Sequence, residues 1–159
     1  MSTLSSSSTP LFAATAGQLT VTHGHPLDLG RVLELPIGHC VMMGRLPDTR
    51  HTGMITQLSL LHLEAEDHAL VIQHLRTRAP DKDGARHLFA SFEREDDVGL
   101  ADDAVSSRHT MVFCDEAGIT LLDMGSTNGT WVNGDRVVSA ELAVGDLLRI
   151  GETRFELRA

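Results

Sequence analysis

The chain has 159 residues, 42% of them apolar, which suits one domain with its own core and is too apolar for a disordered chain. Its formal net charge of -9 lacks the basic excess of a general nucleic-acid binder, and no apolar run reaches the ~18 residues of a membrane-spanning helix. Two distant cysteines, Cys40 and Cys114, each in an apolar run, read as buried free thiols of a reducing compartment and so predict a cytoplasmic protein.

Residues 1–16 are rich in Ser, Thr and Ala and read as a flexible tail, without the basic and long apolar segments of a secretory signal. Strands are expected at 19–21 and 31–35, with a Gly- and Pro-punctuated turn at 23–30. A third, fully apolar strand at 40–43 ends at Gly44-Arg45. The stretch 46–95 differs. Met54, Leu58, Leu61, Ala65, Ala69, Ile72 and Leu75 fall on helical spacing, yet 69–76 and 86–93 also read as two strands joined by the turn at 80–84. Short apolar runs fit either period, and the expectation is a strand hairpin after a short helix or extended stretch.

Beyond residue 95 the pattern returns to short strands. Runs at 110–114 and 119–123 flank a hairpin loop, and Trp131-Val132 leads into the tight-turn pair Asn133-Gly134 and then a run at 136–138. Runs at 147–150 and 154–157 form a closing hairpin. Many short strands with frequent turns predict an all-β fold, an antiparallel two-sheet β-sandwich, spanning 17–159.

Two turn-like segments carry the chemistry. The first is Val105-Ser106-Ser107-Arg108-His109; the second runs from Asp123 through Ser126-Thr127-Asn128-Gly129. Together with Arg45 they supply hydroxyls, guanidinium groups, an amide and backbone N–H groups, the donors that a phosphorylated side chain needs. Ser107 would contribute its N–H and Arg108 a second cation. His109 begins a strand and is expected to face inward, holding the Ser106 turn. Ser106, His109 and Asp123 are a nominal hydrolytic set, but no nucleophile elbow surrounds the serine. Neither a catalytic residue nor a metal site is expected. His51, His62, His68, His74 and His87 match no metal-ligand spacing.

These residues resemble the forkhead-associated (FHA) domain, whose pattern is Gly-Arg, then Ser-x-x-His, then Asn-Gly. Here they stand as Gly44-Arg45, Ser106-Ser107-Arg108-His109 and Asn128-Gly129. The flanks are similar too, so that the resemblance covers 17–45 and 96–159. It implies a sandwich of the SMAD/FHA type whose apical loops bind a phosphothreonine-containing protein or peptide. The partner would be a Ser/Thr kinase or its substrate, and no cofactor, nucleic acid or membrane is implied. By position, Arg45, Ser106 and Thr127 would hold phosphate, with Ser107 and Arg108 beside them. Asn128 would hold the peptide backbone, and Gly44, His109 and Gly129 would be structural.

Two departures stand out. The residue after the serine, often Arg in the family, is Ser107, with Arg108 next. The stretch 46–95 replaces what is usually a short loop, an insertion beside the binding face. It makes Arg94 a rival to Arg45 as the phosphate arginine, although the 19–45 framework favours Arg45. It also opens a second functional reading, a phosphate-independent scaffold using the insertion or a sheet face.

Overall fold

The computed structural model describes residues 14–47 and 63–159. The tail through residue 13, together with Met54, Leu58, Leu61, His51 and His62 of the insertion, lies outside the described residues. In chain order the elements are β1 (Thr15–His23), β2 (Val32–Pro36), β3 (His39–Arg45), α1 (Ala65–Leu75), a 3₁₀ turn (Arg76–Arg78), α2 (Lys82–Ser91), β4 (Glu93–Arg94), β5 (Val98–Leu100), β6 (Thr110–Asp115), β7 (Gly118–Asp123), β8 (Thr130–Val132), β9 (Asp135–Val137), β10 (Ser139–Leu142), β11 (Leu147–Ile150) and β12 (Thr153–Arg158). The first strand starts at Thr15, two residues before the expected start of the domain at 17.

Two sheets face each other. One has the order β2-β1-β12-β11-β8-β9, the other β10-β7-β6-β3-β4, with β5 also pairing β3. The β-sandwich is therefore present, and its second sheet is mixed: β4 and β5 both run parallel to β3. The cause is connectivity. The chain leaves β3 and returns through the insertion, and a long crossover permits the parallel pairing that a tight hairpin forbids.

Side-chain alternation assigns the faces. Val41 and Met43 of β3, Val112 and Cys114 of β6, and Leu121 of β7 point between the sheets. There they meet Leu19, Val21, Leu148, Ile150, Phe155 and Leu157. The residues between them, Cys40, Met42, Met111, Phe113 and Leu122, point the other way and are buried just as well. The helices cover that second face. Val71 and Leu75 of α1 and Ala85 of α2 join it, with Leu63 and Phe92 at its margins. Phe92 and Phe89 meet Phe113 edge-on. The protein thus has three layers, and the continuous apolar runs of β3 and β6 follow from burial on both faces.

The strand hairpin expected within 69–93 is not formed; a helical hairpin takes its place. Local signals explain the outcome. The Glu64 N–H donates to Asp67 Oδ2 (2.8 Å), closing the first turn of α1. Asp81 caps α2 by accepting from the Gly84 N–H (2.8 Å), just after Pro80. Val71 and Leu75, four residues apart, then fall on one face of the helix with Asp67, and these three are its buried residues. His74 Nε2 to Thr120 Oγ1 (3.2 Å) and an Arg78–Asp115 ion pair tie this layer to β6 and β7.

Candidate functional site

Gly44 and Arg45 end β3 against the loop that carries the Ser106 motif. The Arg45 N–H donates to the Ser106 carbonyl (3.0 Å). A Cβ on Gly44 would stand 1.9 Å from the Ser107 carbonyl oxygen and 2.7 Å from its carbon. The backbone of Gly44 is not in the left-handed region, so glycine is required here by space alone. The close approach delivers the exposed Arg45 side chain to the rim beside Ser106. Among the described residues, none forms an ion pair with Arg45.

His109 joins the two motif loops from below. It is fully buried. The Ser106 N–H donates to Nδ1 (3.0 Å), which fixes the neutral tautomer with its proton on Nε2; that proton goes to the Gly129 carbonyl (2.8 Å). Burial holds the imidazole below its usual range, outweighing the opposite pull of the Gly129 carbonyl, Asp123 and Asp102. Both ring nitrogens face backbone, so His109 does not act on the Ser106 hydroxyl. Asp123 is occupied as well, which leaves the nominal Ser106–His109–Asp123 set without hydrolytic geometry.

Two aspartates shape the loops. Asp123 Oδ2 accepts from the N–H groups of Gly125 (3.1 Å) and Ser126 (3.0 Å). Its Oδ1 accepts from the hydroxyls of Ser126 (2.5 Å) and Thr130 (2.7 Å). Asp102 accepts from the Ala104 and Glu152 N–H groups and the Thr153 hydroxyl. Gly129 sits at φ +89°, where an added Cβ would meet Arg136 Nε at 2.5 Å. Asp102 is not among the sequence-derived site residues, and Asp123 is there only as a member of the nominal hydrolytic set. The signal available for Asp123 was its place three residues before Ser126, the spacing of a local side-chain turn.

The loops then interlock. The Thr127 N–H donates to Ser106 Oγ (3.2 Å), so the serine hydroxyl accepts there and keeps its own hydrogen for a ligand. The Asn128 amide donates to the Ala104 carbonyl (2.8 Å), with its carbonyl and second N–H left over. Arg45, Ser106, Ser107, Thr127 and Asn128 are thus gathered on one rim, over a floor of Gly44, His109 and Gly129.

Arg108 is placed differently. Its Nε lies 3.1 Å from Asp67 Oδ2 on α1, an ion pair between a half-exposed arginine and a buried carboxylate. The alignment falls short of a hydrogen bond, and Nε has no other partner among the described residues. Arg94 is remote from the rim. It sits opposite Cys40, whereas Arg45 is opposite Leu100, five residues or ~17 Å further along β3. Arg94 pairs with Asp97 (3.0 Å). The rim arginine beside Ser106 is therefore Arg45. The described histidines of the insertion form no metal cluster; among the described residues no group of three or more His, Cys, Asp or Glu is placed to hold an ion.

Residues 86–151 match the family model of the FHA domain, a stretch that holds both motif loops and the strands between them. These 66 of the 159 residues are similar to an FHA domain. Gly44-Arg45 lies outside the matched residues, and the fold supplies it. The chain is 42% identical over 61 residues to the glycogen accumulation regulator GarA of Mycobacterium tuberculosis, covering 38% of either chain. It is 40% identical over 78 residues to the oxoglutarate dehydrogenase inhibitor of Corynebacterium efficiens, covering 45% of this chain and 55% of that one. The match thus spans roughly two-fifths to half of these relatives. Among solved structures, the FHA domain of the CT664 protein from Chlamydia trachomatis superposes with a TM-score of 0.55 at 17% identity, over 90% of this chain and 96% of the other. An FHA domain from work on phosphothreonine-dependent FHA interactions superposes with a TM-score of 0.51 at 22% identity, over 90% and 95%.

Proposed function

We propose that this domain binds phosphothreonine-containing segments of partner proteins as a non-catalytic adaptor in cytoplasmic Ser/Thr-kinase signalling. The observation that carries the reading is the position of Arg45. Arg45 is exposed at the end of β3, where its backbone N–H bonds Ser106 and where Ser106 and Thr127 bond each other. In this reading Arg45, the Ser106 hydroxyl, the Ser107 N–H and Thr127 hold the phosphate. The unused amide groups of Asn128 hold the peptide backbone. The similarity to the FHA domain and the regulator and inhibitor names of the relatives support a binding role over a catalytic one. Among the described residues no helix is long and apolar enough to cross a membrane.

A few charge-assisted hydrogen bonds support affinity of micromolar order, about -8 kcal/mol. Titrating a fluorescein-labelled degenerate phosphothreonine peptide pool by anisotropy, against its unphosphorylated counterpart, tests the proposal. The phosphorylated pool should bind at least ~10-fold tighter, and Arg45→Ala should lose ~10-fold or more. Equal binding of the two pools would favour the scaffold reading. That reading has one observation of its own, an open groove of about 850 Å³ between the helices, lined by Ile72, Phe89, Arg76, Lys82 and Arg86.

A further inference from the structure

We propose that Asp67, on the inserted helix α1, is an internal competitor for Arg108 that lowers the affinity of the phosphate site. The inference rests on the phosphothreonine reading above. Arg108 is two residues from Ser106, inside the turn that His109 braces, and is the cation nearest in sequence to the rim serine. Its Nε faces Asp67 Oδ2 at 3.1 Å.

Asp67 itself is pinned. The same oxygen accepts from the Glu64 N–H in the first turn of α1, and its side chain is only 7% exposed. Arg108 is 36% exposed, with its Nε buried against Asp67. The pair lacks an aligned hydrogen bond, so geometry holds Arg108 weakly and charge holds it strongly. A phosphate at the rim can recruit Arg108 only by leaving a buried carboxylate with its cation gone. Even without that movement, the Asp67 charge cancels the nearest positive charge that an incoming dianion would meet. Both effects have one sign: Asp67 weakens binding. The insertion thereby sets the affinity of a site to which it contributes no donor.

The test uses the full chain and the labelled phosphothreonine pool, with the unphosphorylated pool as control. Asp67→Asn keeps an oxygen for the Glu64 N–H and removes the charge. It should tighten phosphopeptide binding by about tenfold, the lower end of what one charge-assisted hydrogen bond contributes. Arg108→Gln placed on Asp67→Asn should abolish the gain, because the competitor then has nothing to release. Unchanged or weaker binding by folded Asp67→Asn overturns the proposal, as does a gain that survives when Arg108→Gln is added to it. If Asp67→Asn does not fold, Asp67→Ser offers a smaller cap acceptor without charge, with the same expectation. The two readings separate cleanly. A wild type that prefers the phosphorylated pool, with no gain in the Asp67 variants, sinks only the competitor. No preference for the phosphorylated pool in any variant sinks both.

Discussion

Gly44→Ala tests the architecture of the site most directly, because a single methyl group opposes a single backbone contact. The added Cβ would fall 1.9 Å from the Ser107 carbonyl oxygen, 2.7 Å from its carbon and 3.2 Å from the Ser106 oxygen. Ordinary contact needs well over 3 Å, so the 106–107 turn must retreat by more than ~1 Å. The Arg45–Ser106 backbone bond (3.0 Å) breaks with it, and the Thr127–Ser106 bond (3.2 Å) stretches. Two hydrogen bonds at about 1 kcal/mol each, plus overpacking of about 1–3 kcal/mol, give a loss of about 3–5 kcal/mol. For a domain of this size that lowers Tm by roughly 6–20 °C. Urea unfolding gives the stability, and anisotropy with the phosphothreonine pool gives the affinity, which should fall at least ~10-fold as the Ser106 hydroxyl leaves the rim. A variant within ~0.5 kcal/mol of wild type, with unchanged affinity, would show that β3 does not press on the Ser106 turn and would refute the reasoning.

Acid should destabilise the fold through two histidines. Burial lowers the pKa of both His109 and His74, the latter also under the influence of Arg78. The unfolded chain therefore takes up protons near pH 6.5 that the folded chain refuses, and stability falls as pH drops below that value by up to about 1.4 kcal/mol per pH unit for each histidine. Unfolding free energies at pH 7.5, 6.5 and 5.5 should show the fall, and His74→Gln should remove part of the slope; a flat profile down to pH 5.5 contradicts the burial argument. The thiols make a separate prediction. Burial pushes Cys40 up to about 11 and Cys114 up to about 12, so neither should react with a thiol-exchange reagent at pH 8 until denaturant is added. Fast labelling of either in the native protein would mean that its strand opens.

The sandwich was legible because its strands alternate and its turns are marked. Runs such as 154–157, with Phe155 and Leu157 buried and Arg154 exposed, admit one period only. The parallel pairing of β4 and β5 was not legible. Register across a long crossover depends on how the intervening chain packs, which no local pattern encodes. The helices were misread because 69–76 and 86–93 are short apolar runs, and the caps at Glu64 and Asp81 were the stronger local signals. The rim residues could be named together because the family motif fixes their order. Arg108 was given a phosphate role because its partner, Asp67, lies 41 residues earlier and meets it only through tertiary packing. Asp102 was missed, and the loop-shaping role of Asp123 with it, for a related reason: they act on backbone N–H groups and hydroxyls, and an aspartate in a loop carries no mark of how many it will bind.

The insertion is integral to the stability of the sheet that presents the site. Met42, Met111, Phe113, Leu122 and Met124 lie on the face of the second sheet away from the first, and each is at most 6% exposed because the helices cover it. Without that layer the five side chains would return to water, at about 1.5–3 kcal/mol each. That sum is comparable to the whole stability of an ordinary domain. The strands concerned are also those that carry the site: β3 ends in Gly44-Arg45, and β6 begins one residue after His109. The same packing that seals the apolar face brings the first turn of α1 up to Arg108. Core burial and control of the phosphate site are therefore coupled, because a substitution that shifts α1 on Phe113 must also shift Asp67 relative to Arg108.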